Sequence, residues 1–192
     1  DKKKASKELT EKIKQGLEDL NFMGVEFSIA FTRLERYTPN GFDEVEFMIS
    51  TNPGEPIRPL AMVASGGELS RIMLAIKTVL ADSDNIPTLI FDEIDTGISG
   101  RTAQKVSQKL RYIAGRHQVL CITHLPQIAA MADVHFEIAK ETKDGRTITA
   151  IRRLSEEEMV MELARLLGGV QITDAVIENA REMKRLAKGK KG

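Results

Sequence analysis

The spacing of apolar positions changes several times along the chain, and each change marks an element. From Lys2 to Leu20 a charged stretch carries Ala5, Leu9, Ile13, Leu17 and Leu20 at helical spacing. This predicts an amphipathic helix, too short to establish a sustained heptad pattern. Val25, Phe27, Ile29 and Phe31 then alternate with Glu26, Ser28, Ala30 and Thr32, and Val45, Phe47 and Ile49 alternate after Pro39-Asn40-Gly41. Period-two runs around turn residues read as antiparallel strands with one buried face. Between Thr51 and Pro59 stand three prolines and one glycine, a composition expected to stop any ladder before the next helix.

That helix opens at paired glycines. Ser65, followed three residues later by Glu68, forms a capping-box pattern, after which Leu69, Ile72, Met73, Ile76, Val79 and Leu80 recur at helical spacing. The short apolar strand Leu89 to Phe91 ends in two adjacent carboxylates, Asp92 and Glu93. Beyond the tight loop Gly97 to Gly100, Ser99 is placed to cap a helix with Ala103, Val106, Leu110 and Ile113 on its apolar face and Gly115 at its end. Val119 to Thr123 is a second buried strand, so strand, helix and strand make a parallel βαβ unit. His124 is then expected at the same carboxyl edge as Asp92 and Glu93.

The remainder alternates between short pieces. Pro126 suits the first turn of a helix through Ala132, and Val134, Phe136 and Ile138 alternate as a strand. Asp144-Gly145 is a hairpin turn leading to a strand from Thr147 to Arg152. Ser155 with Glu158 makes a second capping box before Met159, Leu163, Leu166 and Leu167, with Gly168-Gly169 closing that helix. A last helix from Thr173 carries Val176, Ile177, Ala180 and Met183 on one face and is expected to fray into the basic tail Arg181 to Lys191.

Two of these places carry candidate chemistry. Paired glycines at a helix start let another backbone or an anion come close, and unpaired amides with the helix dipole favour a phosphate there. Adjacent acids at the carboxyl end of a strand suit a hard cation such as magnesium, which takes oxygens from one or two carboxylates plus water and phosphate. Asp92 is the metal-side residue. Side chains of neighbouring strand residues point to opposite faces, so Glu93 is expected to look away from Asp92, placed to deprotonate a water. His117 and His135 have no supporting motif and read as exposed loop or strand residues.

Composition narrows the partners. The 192 residues are 42% hydrophobic, enough for one core of ordinary size with appendages. Lysine plus arginine equals aspartate plus glutamate, at 28 each, so no global basic field attracts nucleic acid and any DNA contact must be local. The terminal lysines read as a solvated end, with phosphate contact the sharper reading. The single cysteine, Cys121, lies in an apolar run and reads as a core residue rather than a nucleophile. No secretory signal is visible, and no apolar stretch approaches the ~18 residues of a membrane span. A cytoplasmic location is expected.

The motifs together resemble the ATP-binding-cassette ATPases, in the branch that includes the structural-maintenance-of-chromosomes (SMC) proteins. Ser65-Gly66-Gly67-Glu68 resembles the signature motif, Leu89 to Glu93 Walker B with its catalytic glutamate, Ile94-Asp95-Thr96-Gly97 the D-loop, and Ile122-Thr123-His124 the switch histidine. The run Tyr37 to Asp43 and the phrase Ala64 to Arg71 narrow the likeness to a DNA-repair group in that branch. The resemblance implies an α/β fold, the C-terminal lobe of a P-loop ATPase head, with a parallel sheet core, flanking helices and antiparallel hairpins. Residues 1–20 would be a surface helix or the end of a coiled coil, and residues 21–192 the lobe itself.

No Gly-x-x-x-x-Gly-Lys phosphate loop occurs in the sequence, so the Walker A lobe is expected on another segment. By resemblance, ATP and magnesium are the cofactors, Asp92 assists the metal, and Glu93 and His124 are catalytic. Ser65, Gly66, Gly67, Glu68 and Asp95 serve nucleotide, the signature glycines reaching that of an opposing head. The implied partners are the Walker A lobe, a second head engaged through ATP, and DNA near the nucleoid during double-strand-break repair. Three other readings are a chromosome-organising SMC-like head lobe, a non-catalytic dimerisation module, and a metal hydrolase using Asp92, Glu93 and His124 directly. The last leaves the signature helix without a purpose.

Overall fold

A computed structural model describes residues 2–39, 41–63, 65–143 and 146–189. The chain divides into two compact units, one ending at Ile122 and one beginning at Thr123. Each unit is described by itself.

In the first unit, α1 (Lys2–Asp19) leads into the hairpin of β1 (Glu26–Thr38) and β2 (Gly41–Ser50). The apolar stripe of α1 is real from its middle onward: Ile13 and Leu17 are fully buried, whereas Ala5 is exposed. Burying a leucine of this kind contributes about 1.5–3 kcal/mol. The hairpin is antiparallel, with Phe27 opposite Ile49 and Ile29 opposite Phe47, and its register shifts between Arg33 and Thr38. Only its base is buried, at Phe27 and Ile49; Phe31 and Val45 face solvent. The expected turn residue Asn40 lies outside the described residues.

The proline-rich segment does not abolish the ladder. A two-residue strand, β3 (Arg58–Pro59), pairs with β2 so that Met48 faces Pro59 and Ile49 faces Arg58. Proline is tolerated because this is the edge of the sheet, where its missing N–H faces no partner. A 3-10 turn at Leu60–Met62 then hands the chain to α2 (Gly66–Leu80).

The α2 helix is buried more broadly than its apolar spacing suggests. Ile72, Leu74, Ala75 and Ile76 all lie in the core, together with Arg71. From its end the chain returns as β4 (Thr88–Phe91), crosses through α3 (Gly100–Ala114) and pairs in parallel as β5 (Gln118–Cys121). Ala103, Val106, Leu110 and Ile113 of α3 are buried, on the expected face. Ser99 holds the N-cap position but makes no side-chain cap bond, and Gly115 closes the helix in a right-handed conformation.

His117 is buried rather than exposed, with its Nδ1 2.7 Å from the carbonyl oxygen of Ile86. The partner stands 31 residues back in sequence, so only folding reveals the contact.

The second unit begins with a four-residue helix, α4 (Pro126–Ala129), shorter than the expected reach to Ala132. The hairpin of β6 (Phe136–Lys143) and β7 (Arg146–Arg153) follows, with Ile138 opposite Ile151. Its turn at Asp144-Gly145 lies outside the described residues. His135, too, is buried rather than exposed, because its Nε2 lies 2.7 Å from the Ala129 carbonyl oxygen. Burial and the neighbouring Lys184 push its pKa below the ordinary imidazole value.

The last two helices, α5 (Glu156–Gly168) and α6 (Asp174–Gly189), bury Leu163, Ala164, Ala180 and Ala187 in a core of small side chains. Contrary to the fraying expected from Arg181, α6 continues to Gly189. The pairs Glu178–Arg181 and Glu182–Arg185 stand three residues apart along it. Lys184 turns inward instead, donating to the carbonyls of Ala130 at 3.3 Å and Ala132 at 2.5 Å. Lys190 and Lys191 lie outside the described residues.

The capping box at the start of α5 forms completely: Ser155 Oγ accepts from Glu158 N at 3.3 Å and Glu158 Oε2 accepts from Ser155 N at 2.8 Å. With Arg152 also donating to it, the Glu158 carboxyl falls from 4.5 to about 2. A lowered folded-state pKa stabilises above the unfolded value and loses that contribution as pH falls. The melting-temperature difference between wild type and Glu158→Gln should therefore be constant above about pH 5 and shrink steadily towards about pH 3. Thermal melts across that range check it; a pH-independent difference would contradict the charge-dependent origin.

Candidate functional site

The start of α2 follows directly from its sequence. Ser65 is extended, at φ −88° and ψ 120°, so its Oγ turns inward and accepts from Glu68 N at 3.3 Å. Leu69 N then closes the first helical bond on Ser65 O at 2.9 Å. Only this half of the capping box is drawn at α2, whereas both halves form at α5. Glu68 adds a carboxylate to the first turn, where the dipole favours negative charge. A cleft beside this turn is lined in part by Asn52, Glu55, Arg58 and Ser65, and the Arg58 guanidinium pairs with Glu55 at 3.4 Å.

The carboxyl end of β4 comes back to this helix start. The strand stops at Phe91, and Asp92 and Glu93 lie beyond it, both exposed. Strand alternation therefore does not separate the two acids as expected. Glu93 takes a left-handed backbone, φ +56°, which costs of order 1–3 kcal/mol outside glycine and persists only where neighbours hold it. A turn follows, closed by Thr96 N donating to Glu93 O at 3.0 Å. Within it, Glu93 N donates to Asp92 Oδ1 at 2.8 Å.

What holds the turn is α2. Ser70 Oγ donates to Asp92 O at 2.6 Å, and Arg71 Nη1 donates to Ile94 O at 3.2 Å and Thr96 O at 2.8 Å. The two glycines are in the same wall. A Cβ on Gly66 would fall 2.3 Å from Glu93 Oε2, and one on Gly67 would fall 2.9 Å from both Glu93 O and Thr96 Cβ. Backbone atoms cannot retreat as a flexible side-chain end can, so Gly67 is required for the approach itself.

Of the candidate residues, Ser65, Gly66, Gly67, Glu68, Asp92, Glu93 and Asp95 all belong to the first unit. Asp95 is buried. The guanidinium of Arg71 is pulled below its ordinary value by burial, with Glu68 and Asp95 opposing that shift. Cys121 is half-buried, and burial, followed by the charges of Asp95 and Asp92, pushes its thiol up to about 12, which leaves it protonated and unreactive near neutrality.

β4 and β5 end at one edge, with Phe91 opposite Cys121 and Ile122 N donating to Phe91 O at 3.0 Å. His124 is exposed and belongs to the second unit. Ser70 and Arg71 stand in the phrase Ala64 to Arg71 and Thr96 in Ile94 to Gly97, but no local signal marks their contacts, because the bonded groups lie 22 to 25 residues apart.

Among the described residues, no group of three or more His, Cys, Asp or Glu side chains is placed to hold a metal ion. Nor, among them, is any helix long and apolar enough to cross a membrane. The outer face of the β4–β5 pair is apolar and bare: Ile90 is 69% exposed, Ile122 52% and Leu120 44%.

Comparison with known proteins adds relatives along almost the whole chain. The DNA repair protein RecN of Halalkalibacterium halodurans is 48% identical over 190 residues, which is 97% of this chain and 34% of that protein. RecN of Bacillus subtilis is 53% identical over 146 residues, covering 76% of this chain and 25% of that protein. The chain thus spans about a third or less of the length of these curated relatives. No family model matches.

Among solved structures, the Smc head domain with a coiled coil and joint from Pyrococcus yayanosii superposes with a TM-score of 0.55. It is 21% identical, over 81% of this chain and 28% of that one. A chain from work on ATP-driven dimerization and DNA stimulated activation of SMC ATPases gives a TM-score of 0.51 at 19% identity, over 88% of this chain and 96% of that one. At such identity these likenesses establish a shared mixed α/β fold.

The close approach at Gly67 is testable. Gly67→Ala forces the new methyl onto Glu93 O and Thr96 Cβ, and overpacking of this kind costs about 1–3 kcal/mol. Chemical denaturation should record that loss, while Gly189→Ala, whose Cβ meets nothing within 4 Å at a helical position, costs less.

Proposed function

The chain carries RecN-related sequence over 97% of its length, and from that premise we propose that it is the C-terminal lobe of an ATP-hydrolysing, SMC-like head in a DNA-repair protein. The observation that carries the reading is the junction at α2: two exposed carboxylates, Asp92 and Glu93, sit on a turn that the signature helix holds by its first two turns. An acid pair beside an amide-rich helix start supplies parts that a phosphoryl-transfer site uses, which supports the reading.

In this reading residues 21–192 form the lobe, and α1 is the end of a coiled coil or a helix lying on the head. A Walker A lobe elsewhere in the protein cradles the phosphates, and the bare apolar face at Ile90, Leu120 and Ile122 is its seat on this lobe. The complete protein acts on DNA in double-strand-break repair, in the cytoplasm.

Asp92 is the residue for magnesium. A single exposed carboxylate with one oxygen already accepting from Glu93 N suits an ion that keeps most of its waters and takes its other ligands from phosphate. Bound with ATP, magnesium neutralises phosphate charge. Glu93 orients and deprotonates the attacking water, His124 donates to the γ-phosphate and that water, and the barrier falls through positioning and electrostatics. Ser65, Gly66 and Gly67 present their amides to the γ-phosphate held by the opposing head, with Glu68 and Asp95 beside them. ATP thereby joins two heads, and hydrolysis parts them.

The Glu93 carboxylate rests against Gly66. A phosphate arriving at that helix start meets a like charge, so engagement turns Glu93 away from its own signature helix.

In the full-length protein, Glu93→Gln should lower ATP turnover by roughly 10²–10⁴-fold while ATP-dependent dimerisation persists. Turnover at the wild-type rate would remove Glu93 from the mechanism. Ser65→Arg should abolish head engagement in sedimentation or light-scattering assays yet leave ATP binding intact. Equal loss of both would argue against a site shared between heads.

A further inference from the structure

The signature phrase ends in Arg71, a residue to which the proposed mechanism gives no part. Its guanidinium is buried at 7% exposure, an unusual place for a cation without a function to hold it there. Burial opposes its charge, and Glu68 and Asp95 favour it. The side chain spends Nη1 on two backbone carbonyls, Ile94 O at 3.2 Å and Thr96 O at 2.8 Å, and stacks 5.7 Å from the ring centroid of Phe22. Phe22 is itself buried, in the turn that follows α1.

From these contacts we infer that Arg71, with Ser70 beside it, is a positioning residue for Glu93: it clamps the turn that carries the base to the signature helix. The inference rests on the ATPase reading above.

The argument is one of constraint. Glu93 holds a left-handed backbone that nothing in its own side chain favours, since it is neither glycine nor asparagine. The carbonyl just before it, Asp92 O, is held by Ser70 at 2.6 Å. Its own carbonyl packs against Gly67 and accepts from Thr96 N. The next contact along, Ile94 O, and the far end of the turn, Thr96 O, are both held by Arg71. One helix therefore fixes the turn on both sides of the base.

A planar guanidinium can reach two carbonyls from one nitrogen in a fixed direction, and a flexible ammonium cannot hold the same pair as firmly. Because the hydrogen bonds of Arg71 go to backbone carbonyls of the turn, its removal leaves the Glu93 carboxylate present but loosely placed. A misplacement of about 1 Å in a reacting group costs on the order of 10²-fold in rate.

Phe22 gives the clamp a third attachment. The ring supports the guanidinium from the side of α1, so the helix entering the unit, the signature helix and the base-bearing turn share one buried cation.

The test uses the full-length protein, with Glu93→Gln as the control on the reading itself. Arg71→Gln should lower kcat for ATP by roughly ten- to a hundredfold while KM for ATP changes less than about twofold. Amide hydrogen exchange across residues 92–98 should quicken in the same variant. Arg71→Lys, which retains the charge and one donor direction, should recover part of kcat and part of the protection.

If kcat for Arg71→Gln stays within about twofold of wild type while exchange at 92–98 quickens, the clamp exists but does not position the base, and the inference fails. A fall in kcat with unchanged exchange overturns it as well. Should Arg71→Gln not fold, Ser70→Ala tests the same turn without leaving a charge unpaired: a severalfold loss of kcat at constant KM supports the inference, and an unchanged kcat overturns it. Persistence of turnover in Glu93→Gln would overturn the ATPase assignment of that glutamate and this inference with it. Loss of turnover in that control beside a wild-type Arg71→Gln would sink the inference alone.

Discussion

The turn after β4 has carbonyl oxygens that its own strand cannot satisfy, and α2 supplies their donors. Backbone carbonyls withdrawn from water need partners, or each costs about the free energy of a lost hydrogen bond. Arg71 meets that need at the buried Ile94 carbonyl and in part at Thr96, Ser70 adds a bond to the exposed Asp92 carbonyl, and Gly67 lets the helix come near enough for them to do so. Remove the close approach and the donors no longer reach. The left-handed conformation of Glu93 is held between these contacts.

Charge at the junction is unevenly divided. Glu68, Asp92, Glu93 and Asp95 lie about this junction, and the buried cation Arg71 bonds the intervening carbonyls of Ile94 and Thr96. The helix dipole tolerates negative charge at this end, and Arg71 offsets part of the rest.

The first unit sets a helix that opens at paired glycines against a strand that runs into two acids, with a parallel neighbour ending at the same edge. The apolar outer face of that strand pair is the complementary fact. Ile90 and Leu120, opposite one another in the register, have the composition of a core and the exposure of a surface.

Local elements were legible because local rules make them. Ser65 and Ser155 announced helix starts, Gly169 a helix end at φ +64°, and the apolar spacing of α3 its buried face, since each depends on residues within a turn or two. The motif residues of the site were legible for a different reason, as a phrase resembling a family. Contacts between distant segments were not. His117 and His135 found carbonyls that no nearby residue foretells, Lys184 left a basic run to close on Ala130 and Ala132, and β3 formed through a proline because it lay at an edge. Nor could alternation along a strand place Glu93, for the strand ends one residue before Asp92 and the left-handed step at Glu93 is imposed by the helix across from it. Sequence determined which groups this chain brings to the site. Tertiary packing decided where they point, because the donors that fix the turn come from a helix more than twenty residues earlier, and that distance closes only when the core assembles.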